Sequence, residues 1–283
     1  MDAYRLRLTT VLEIRWAPGA GCGQRQRCDR RLTFTCGSVE GEWYGYRSYT
    51  APGSTNEDQV VVVHDAGTGE VAGLAVGTAL GPRRVGAIGA VALDALAPPS
   101  PTGLAVIGTG QQAWHQLWAL PDRFKGLPVR VYSPTLAHRH DFAARARTML
   151  NLDVEDAPSV SATIDGAKII IVATSSPSPV IGPDDIPDGA YMTTLGPKQV
   201  GRAEIGPDLT RDAALVVTDS LAQLRAYDPP HVLAAADHGT HVAHLGAILT
   251  GTEHPTAGTR IFLSTGLAGT EAWLLNAALQ VGE

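Results

Sequence analysis

Hydrophobic and polar positions follow two rhythms along the chain, divided near residue 98. Before it, apolar residues tend to alternate. Tyr4, Leu6 and Leu8, then Leu12, Ile14 and Trp16, give residues 2–16 the period of two expected of strands. Residues 17–31 are rich in glycine and arginine and read as a loop. Strand-like runs follow at 32–36, 43–50 and 59–64, and Ala66-Gly67-Thr68-Gly69 forms a turn into another strand at 70–76. Residues 87–96 read as a helix whose small side chains allow close packing. Pro98-Pro99-Ser100-Pro101 is the clearest punctuation in the chain and marks a domain boundary.

Beyond that boundary strand and helix alternate. A short buried strand at 104–107 leads to a helix over 111–120, and a second strand at 129–132 leads to a helix over 136–150. A third, nearly all β-branched strand covers 168–173, with further strands at 190–195 and 214–218. Short apolar strands separated by helices predict a parallel sheet covered on both faces. A last helix over 266–279 could return to pack on the N-terminal region.

The first strand of this second part runs directly into Gly108-Thr109-Gly110-Gln111-Gln112-Ala113, and a helix opens there. In such a turn the first glycine permits the sharp bend and the second lets the backbone approach a pyrophosphate. The small third residue, Ala113, lets the helix sit close to the strand. The diphosphate would rest on free N–H groups at the positive end of the helix dipole. Gly19, Gly21 and Gly23 are also alternately spaced, but no buried helix follows them. The Gly108 turn therefore predicts a nicotinamide-dependent oxidoreductase.

The second strand ends at Tyr132-Ser133-Pro134-Thr135, where an NAD-specific fold usually carries Asp or Glu for the ribose hydroxyl. Ser133 brings no charge, while Thr135, His138 and Arg139 could serve a 2′-phosphate, so NADP(H) is favoured and NAD(H) stays open. Ser133 and Thr135 would equally suit the cap of the following helix. Thr174, Ser175 and Ser176 follow the third strand and read as cofactor contacts, together with Leu195 and Gly196 after the fourth. The serines are no hydrolase elbow, because the Gly-x-Ser-x-Gly frame is missing.

Composition narrows the partners. The chain has 283 residues and a formal charge of −6, without the concentrated basic surface that nucleic acid requires. No apolar run approaches the ~18 residues of a membrane span, and the best, 85–97, is broken by Asp94. Cys22, Cys28 and Cys36 lack Cys-x-x-Cys pairing and suit reduced thiols in a cytoplasm, with no metal expected. His231, His238, His241 and His244 raise the question of a metal again, but on a helix their spacing drifts around the axis. Only three lysines occur, Lys125, Lys168 and Lys198.

Further segments carry a family resemblance. They are Tyr44-Gly45-Tyr46-Arg47, the run V-V-V-V-H-D-A-G-T-G-E over 60–70, Arg84-Val85-Gly86-Ala87, the Gly108 turn, Val172-Ala173-Thr174-Ser175-Ser176 and Ser264-Thr265-Gly266-Leu267-Ala268. In order and spacing they resemble the ornithine cyclodeaminase/μ-crystallin family, which also includes ketimine reductases and an archaeal type of alanine dehydrogenase. The resemblance implies an α/β fold in which a Rossmann-type doubly wound parallel sheet, residues 99–261, is inserted into a smaller α+β domain. That smaller domain, residues 1–98 plus 262–283, would bind substrate and form a homodimer. Arg84, Arg47 and Arg31 (or Arg30) match basic positions that hold a substrate carboxylate in a pocket between the domains. Arginine suits that task, since its planar fork binds both oxygens.

The chain departs from the family pattern in three places. The long N-terminal helix is missing, and Arg47 stands where lysine is usual. Lys198, in Gly196-Pro197-Lys198-Gln199-Val200-Gly201-Arg202-Ala203-Glu204, replaces the aspartate of cyclodeaminases and the related alanine dehydrogenases. A carboxylate that assists proton removal has become a cation, which suits a proton donor to nitrogen or an anion binder. The implied activity is NAD(P)H-dependent reduction of a C=N bond on a small carboxylated substrate. Ornithine or lysine cyclodeaminase, amino-acid dehydrogenase, and a non-catalytic NADPH- or ligand-binding protein are the alternatives.

Overall fold

The structure, a computed structural model, describes residues 25–28, 32–50, 59–235 and 241–281. The chain forms two compact units, Met1–Arg84 with Leu267–Glu283, and Val85–Gly266. The division falls inside helix α1 (Leu80–Leu96), ahead of the proline-rich segment that punctuates the sequence. Gly81, Pro82 and Gly86 hide the first turns of α1 from a propensity reading, yet proline is tolerated where a helix begins. The strand pattern at 2–16 and the residues Arg30 and Arg31 lie outside the described residues.

The first unit is an antiparallel meander of β1 (Arg25–Cys28), β2 (Leu32–Val39), β3 (Trp43–Thr50), β4 (Gln59–Asp65) and β5 (Val71–Val76), paired in that order. β1 lies within the stretch expected to be a loop; its register against β2, Arg25 to Thr35, supplies backbone partners that polar composition conceals. Between β4 and β5 the Asp65 carboxylate accepts hydrogen bonds from the Gly67 and Thr68 N–H groups at 2.9 and 2.7 Å, closing the predicted turn. Along β3, Trp43, Gly45 and Arg47 are buried and Tyr44 and Tyr46 are exposed, the period of two in its plain form. The C-terminal helix (Thr270–Val281) covers the Trp43 face, packing Ala272 and Leu275 on Trp43, Val61 and Val63.

The second unit carries an eight-stranded sheet whose pairings are all parallel. β6 (Leu104–Ile107), helix α2 (Gln111–Trp118), β7 (Val129–Tyr132), helix α3 (Leu136–Leu150) and β8 (Val154–Asp156) make one half. β9 (Ile169–Val172) and β10 (Tyr191–Thr194) continue on the other side of β6. A two-stranded hairpin, β11 (Lys198–Gln199) with β12 (Arg202–Ala203), follows, then β13 (Leu215–Thr218), β14 (Val242–His244) and β15 (Arg260–Leu263). The order is β14-β13-β15-β10-β9-β6-β7-β8, so strand direction of travel reverses between β6 and β9. β6, β9 and β10 are buried at every position, as expected of strands covered on both faces. Val242 to His244 is strand rather than helix, because its backbone pairs with Val216 to Thr218.

Candidate cofactor and substrate sites

In parallel sheets, ligands bind beyond the strand carboxyl ends at the point where the order reverses, here the loops after β6 and β9. Gly108 has φ 116°, and a Cβ there would lie 2.1 Å from the Ala173 carbonyl oxygen, so only glycine allows these loops to touch. Gly110 is the N-cap of α2 in extended conformation, with open space around its α-carbon and no side chain capping the helix. The first helical hydrogen bond runs from Trp114 N to Gly110 O, which leaves the amides before it facing that space. Ala113 is fully buried, while Gln111 is exposed and Thr109 and Gln112 half-buried. These residues fit a diphosphate.

At the end of β7 the Arg139 guanidinium donates to the Ser133 carbonyl at 2.9 Å, stands over the Tyr132 ring and lies 3.8 Å from Asp156. Ser133 is buried. Thr135 is the N-cap of α3 but makes no side-chain cap bond and is exposed, so its hydroxyl is not consumed by capping.

A carboxylate that motif reading overlooked organises the next two loops. Glu204 is completely buried just after β12. One oxygen accepts from Thr174 N and Oγ1 at 2.8 and 2.7 Å. The other accepts from Thr194 Oγ1 at 2.7 Å, Leu195 N at 3.1 Å and Gly196 N. The ends of β9 and β10 are thus joined through one side chain. Gly196 is required, since a Cβ would come within 2.2 Å of the Thr174 carbonyl oxygen and 2.3 Å of the carboxylate. Thr174 is committed to Glu204 and the Ser176 hydroxyl to the Ser178 carbonyl, whereas Ser175 is exposed.

Lys198 lies in the same region, 3% exposed, donating from Nζ to the Gly196 carbonyl at 2.7 Å. Burial drives its pKa down from 10.5 to about 8, against the opposing pull of Glu204 and Asp219. Asp219, after β13, is held by Thr265 N and Oγ1 at 2.8 and 2.7 Å and by Gly266 N. His231 is fully buried, and its backbone bridges to Gln199 beside Lys198. Its Nδ1 accepts from Leu233 N at 3.2 Å, and burial with the nearby Lys198 charge lowers its pKa to about 3, so the ring is neutral. His244 instead accepts from Gly246 N, His241 faces Glu253 at 3.5 Å, and His238 lies outside the described residues.

In the first unit, Arg47 and Arg84 converge, and they do so on a protein carboxylate. Glu271, in the first turn of the C-terminal helix, is 1% exposed, and its Oε1 lies 2.5 Å from Arg47 Nη1 and 3.0 and 2.8 Å from Arg84 Nε and Nη2. Burial raises the Glu271 pKa, but Arg84 and Arg47 outweigh it and hold the group ionised. Glu271 Oε2 is buried without a hydrogen-bond partner. Arg47 also donates to Gln59 at 2.8 Å and stacks over Tyr49. Register explains the meeting: Arg47 shares the Trp43 face, which the C-terminal helix covers.

A parallel sheet that reverses beside a glycine turn and an uncapped helix end defines the class of dinucleotide-binding proteins. Within it, the chain belongs to the ornithine cyclodeaminase/mu-crystallin family, whose profile matches residues 43–276. It is 25% identical over 224 residues to the ketimine reductase mu-crystallin of Mus musculus, covering 79% of this chain and 69% of that protein. It is 28% identical over 221 residues to a Delta(1)-pyrroline-2-carboxylate/Delta(1)-piperideine-2-carboxylate reductase of Azospirillum brasilense, covering 77% of this chain and 67% of that protein. The fold matches that of the iminosuccinate reductase of Paracoccus denitrificans, solved in complex with NAD+, with TM-score 0.81 and 22% identity over 99% of this chain and 91% of that one. Among the described residues no helix is long and apolar enough to cross a membrane.

Proposed function

We propose that this protein reduces a C=N bond in small carboxylated imines with a nicotinamide cofactor, preferring NADP(H). The observation that carries the reading is Lys198, a buried amine with its pKa lowered to about 8, where cyclodeaminases of the family have aspartate. Reduction of an imine adds a hydride to carbon and a proton to nitrogen. The bound nicotinamide would supply the hydride. Lys198 Nζ gives its proton to the imine nitrogen and regains one from water. It must be protonated to do so, so the rate falls as pH rises through about 8.

The other roles follow from charge and position. The amides at the start of α2 hold the diphosphate, and Gly108, Thr109, Gly110, Gln111, Gln112 and Ala113 form its cradle. Arg139 and Thr135, beside the uncharged Ser133, take the 2′-phosphate. Thr174, Ser175, Ser176, Leu195 and Gly196 border the nicotinamide half. Arg47 and Arg84 hold the substrate carboxylate. The protein acts as a homodimer. In support, the sheet face turned away from the C-terminal helix aligns Tyr46, Val62 and Leu74 across three strands, and Tyr46, Leu74 and Val76 are exposed.

The test is turnover of five- and six-membered cyclic imine carboxylates and of iminosuccinate with NADPH and with NADH, comparing Lys198→Met with the wild type. The expected result is reduction with lower KM for NADPH, and loss of about 10²–10⁴ in kcat in the variant, the usual worth of a proton donor. Tight NADPH binding without turnover would make this a binding protein. Ammonia release from ornithine or lysine would make it a cyclodeaminase. A fully active variant would remove Lys198 from the chemistry.

A further inference from the structure

An NAD-specific fold carries an acid at the end of its second strand, where this chain has Ser133, yet folding brings an acid close by from the neighbouring strand. Asp156 ends β8, and the parallel register sets it beside Val131 of β7, two positions before Ser133. Its Oδ2 lies 3.8 Å from Arg139 Nε and 3.3 Å from His140 Nε2. Motif spacing does not reveal it, because β8 follows the glycine turn by far more than the usual ~20 residues.

Asp156 is not what holds Arg139 in place. At 3.8 Å the contact is too long for a hydrogen bond, and Arg139 Nε is buried with no hydrogen-bond partner. The guanidinium is fixed instead by the Ser133 carbonyl at 2.9 Å and by the Tyr132 ring. What Asp156 contributes is a negative charge beside that cation, with His140 adding a positive one only when protonated. A 2′-phosphate brings a further charge of about −1.5 to −2 at neutral pH, so that one guanidinium faces two anions. The Asp156 side chain is 34% exposed and that of Arg139 12%, so water weakens the repulsion without removing it. A dinucleotide with a free 2′-hydroxyl brings no charge to this place and escapes the repulsion.

We propose that Asp156 opposes the 2′-phosphate, holding the preference for NADP(H) over NAD(H) to a modest one and keeping both cofactors usable. The inference rests on the reading that Arg139 receives the 2′-phosphate, and deepens it by naming the residue that limits that recognition. Asp156 is a specificity-determining residue that acts through charge and touches no reacting atom.

ADP-ribose and its 2′-phosphorylated form differ by the one group in question and need no turnover. Both are titrated calorimetrically into the full chain at neutral pH. Asp156→Asn should tighten the phosphorylated form by about fivefold and leave ADP-ribose within about twofold, the gain shrinking as salt is raised. Asp156→Glu keeps the charge and should keep the wild-type ratio. Arg139→Gln should weaken the phosphorylated form by about tenfold or more and spare ADP-ribose. A ratio that stays unmoved or falls in Asp156→Asn, while Arg139→Gln lowers it, overturns the inference and leaves the role of Arg139 intact. A ratio that rises only because ADP-ribose binds more weakly also overturns it, since Asp156 would then be holding the ribose. An unchanged ratio in Arg139→Gln, or binding of neither probe by the wild type, overturns the Arg139 reading and this inference with it. Should Asp156→Asn not fold, Asp156→Ser removes the same charge and decides in its place.

Discussion

Replacing Glu204 by glutamine keeps the shape of the side chain but converts one of its two oxygens into an amide nitrogen. Two donors from Thr174 point at one oxygen and three from Thr194, Leu195 and Gly196 at the other. The threonine hydroxyls can turn to accept from the amide, so the backbone N–H groups decide: one, Thr174 N, or two, Leu195 N and Gly196 N, must face a donor, depending on which way the amide turns. At ~1–3 kcal/mol for each unsatisfied group, the variant should lose about 2 kcal/mol. For a chain of this size that is roughly 4–8 °C in Tm, read by calorimetry. A second effect follows from charge. Glu204 raises the Lys198 pKa against burial, so its loss lets that pKa fall further below about 8. The basic limb of the reductase pH–rate profile should then move to lower pH. A Tm within about 2 °C of the wild type would refute the hydrogen-bond accounting. A variant that is destabilised but has an unmoved basic limb would show that Glu204 does not act on Lys198.

Other substitutions test the remaining parts. Gly108→Ala, with a Cβ 2.1 Å from the Ala173 carbonyl oxygen at φ 116°, should weaken NADPH binding at least about 100-fold by fluorescence titration. Lys198 has a folded pKa of about 8 against 10.5 for the free side chain, so between those values the unfolded chain binds more protons and stability rises with pH. Lys198→Met should abolish that rise, about 3 kcal/mol across the window by urea unfolding. Leu74→Glu with Val76→Glu, on the outer face of β5, should yield a monomer by light scattering while the unit stays folded.

What the sequence revealed depended on how local the cause was. The Gly108 turn is legible because strand, glycines and helix are adjacent in the chain, and their physical roles fix their spacing. β6 and β9, only four residues each, are legible because burial on both faces leaves unbroken apolar runs. β8 and β14 are three residues long and give no period to read. β11 and β12 are two-residue strands whose existence depends on their pairing. The candidate site divides the same way. Arg47, Arg84 and Lys198 stand out through the family resemblance, and Arg47 also as a charge among the tyrosines of its strand. Glu271 and Glu204 do not, because their importance comes from partners brought together by folding, Arg47 lying 224 positions from Glu271. Asp219 offered one usable signal, an acid immediately after a parallel strand, where ligands gather.

The alternation along β3 ties chemistry to counting. Trp43, Gly45 and Arg47 face the C-terminal helix because they sit two apart, and the hairpin from β2 sets that phase through the residues between Val39 and Trp43. One residue inserted there would send Arg47 outward, put a tyrosine against the helix and leave Glu271 with one arginine. Two residues inserted at the same turn would keep the phase and both charges. Length variation in this hairpin is therefore constrained by parity, with even insertions tolerated and odd ones harmful to the contact of Arg47 with Glu271.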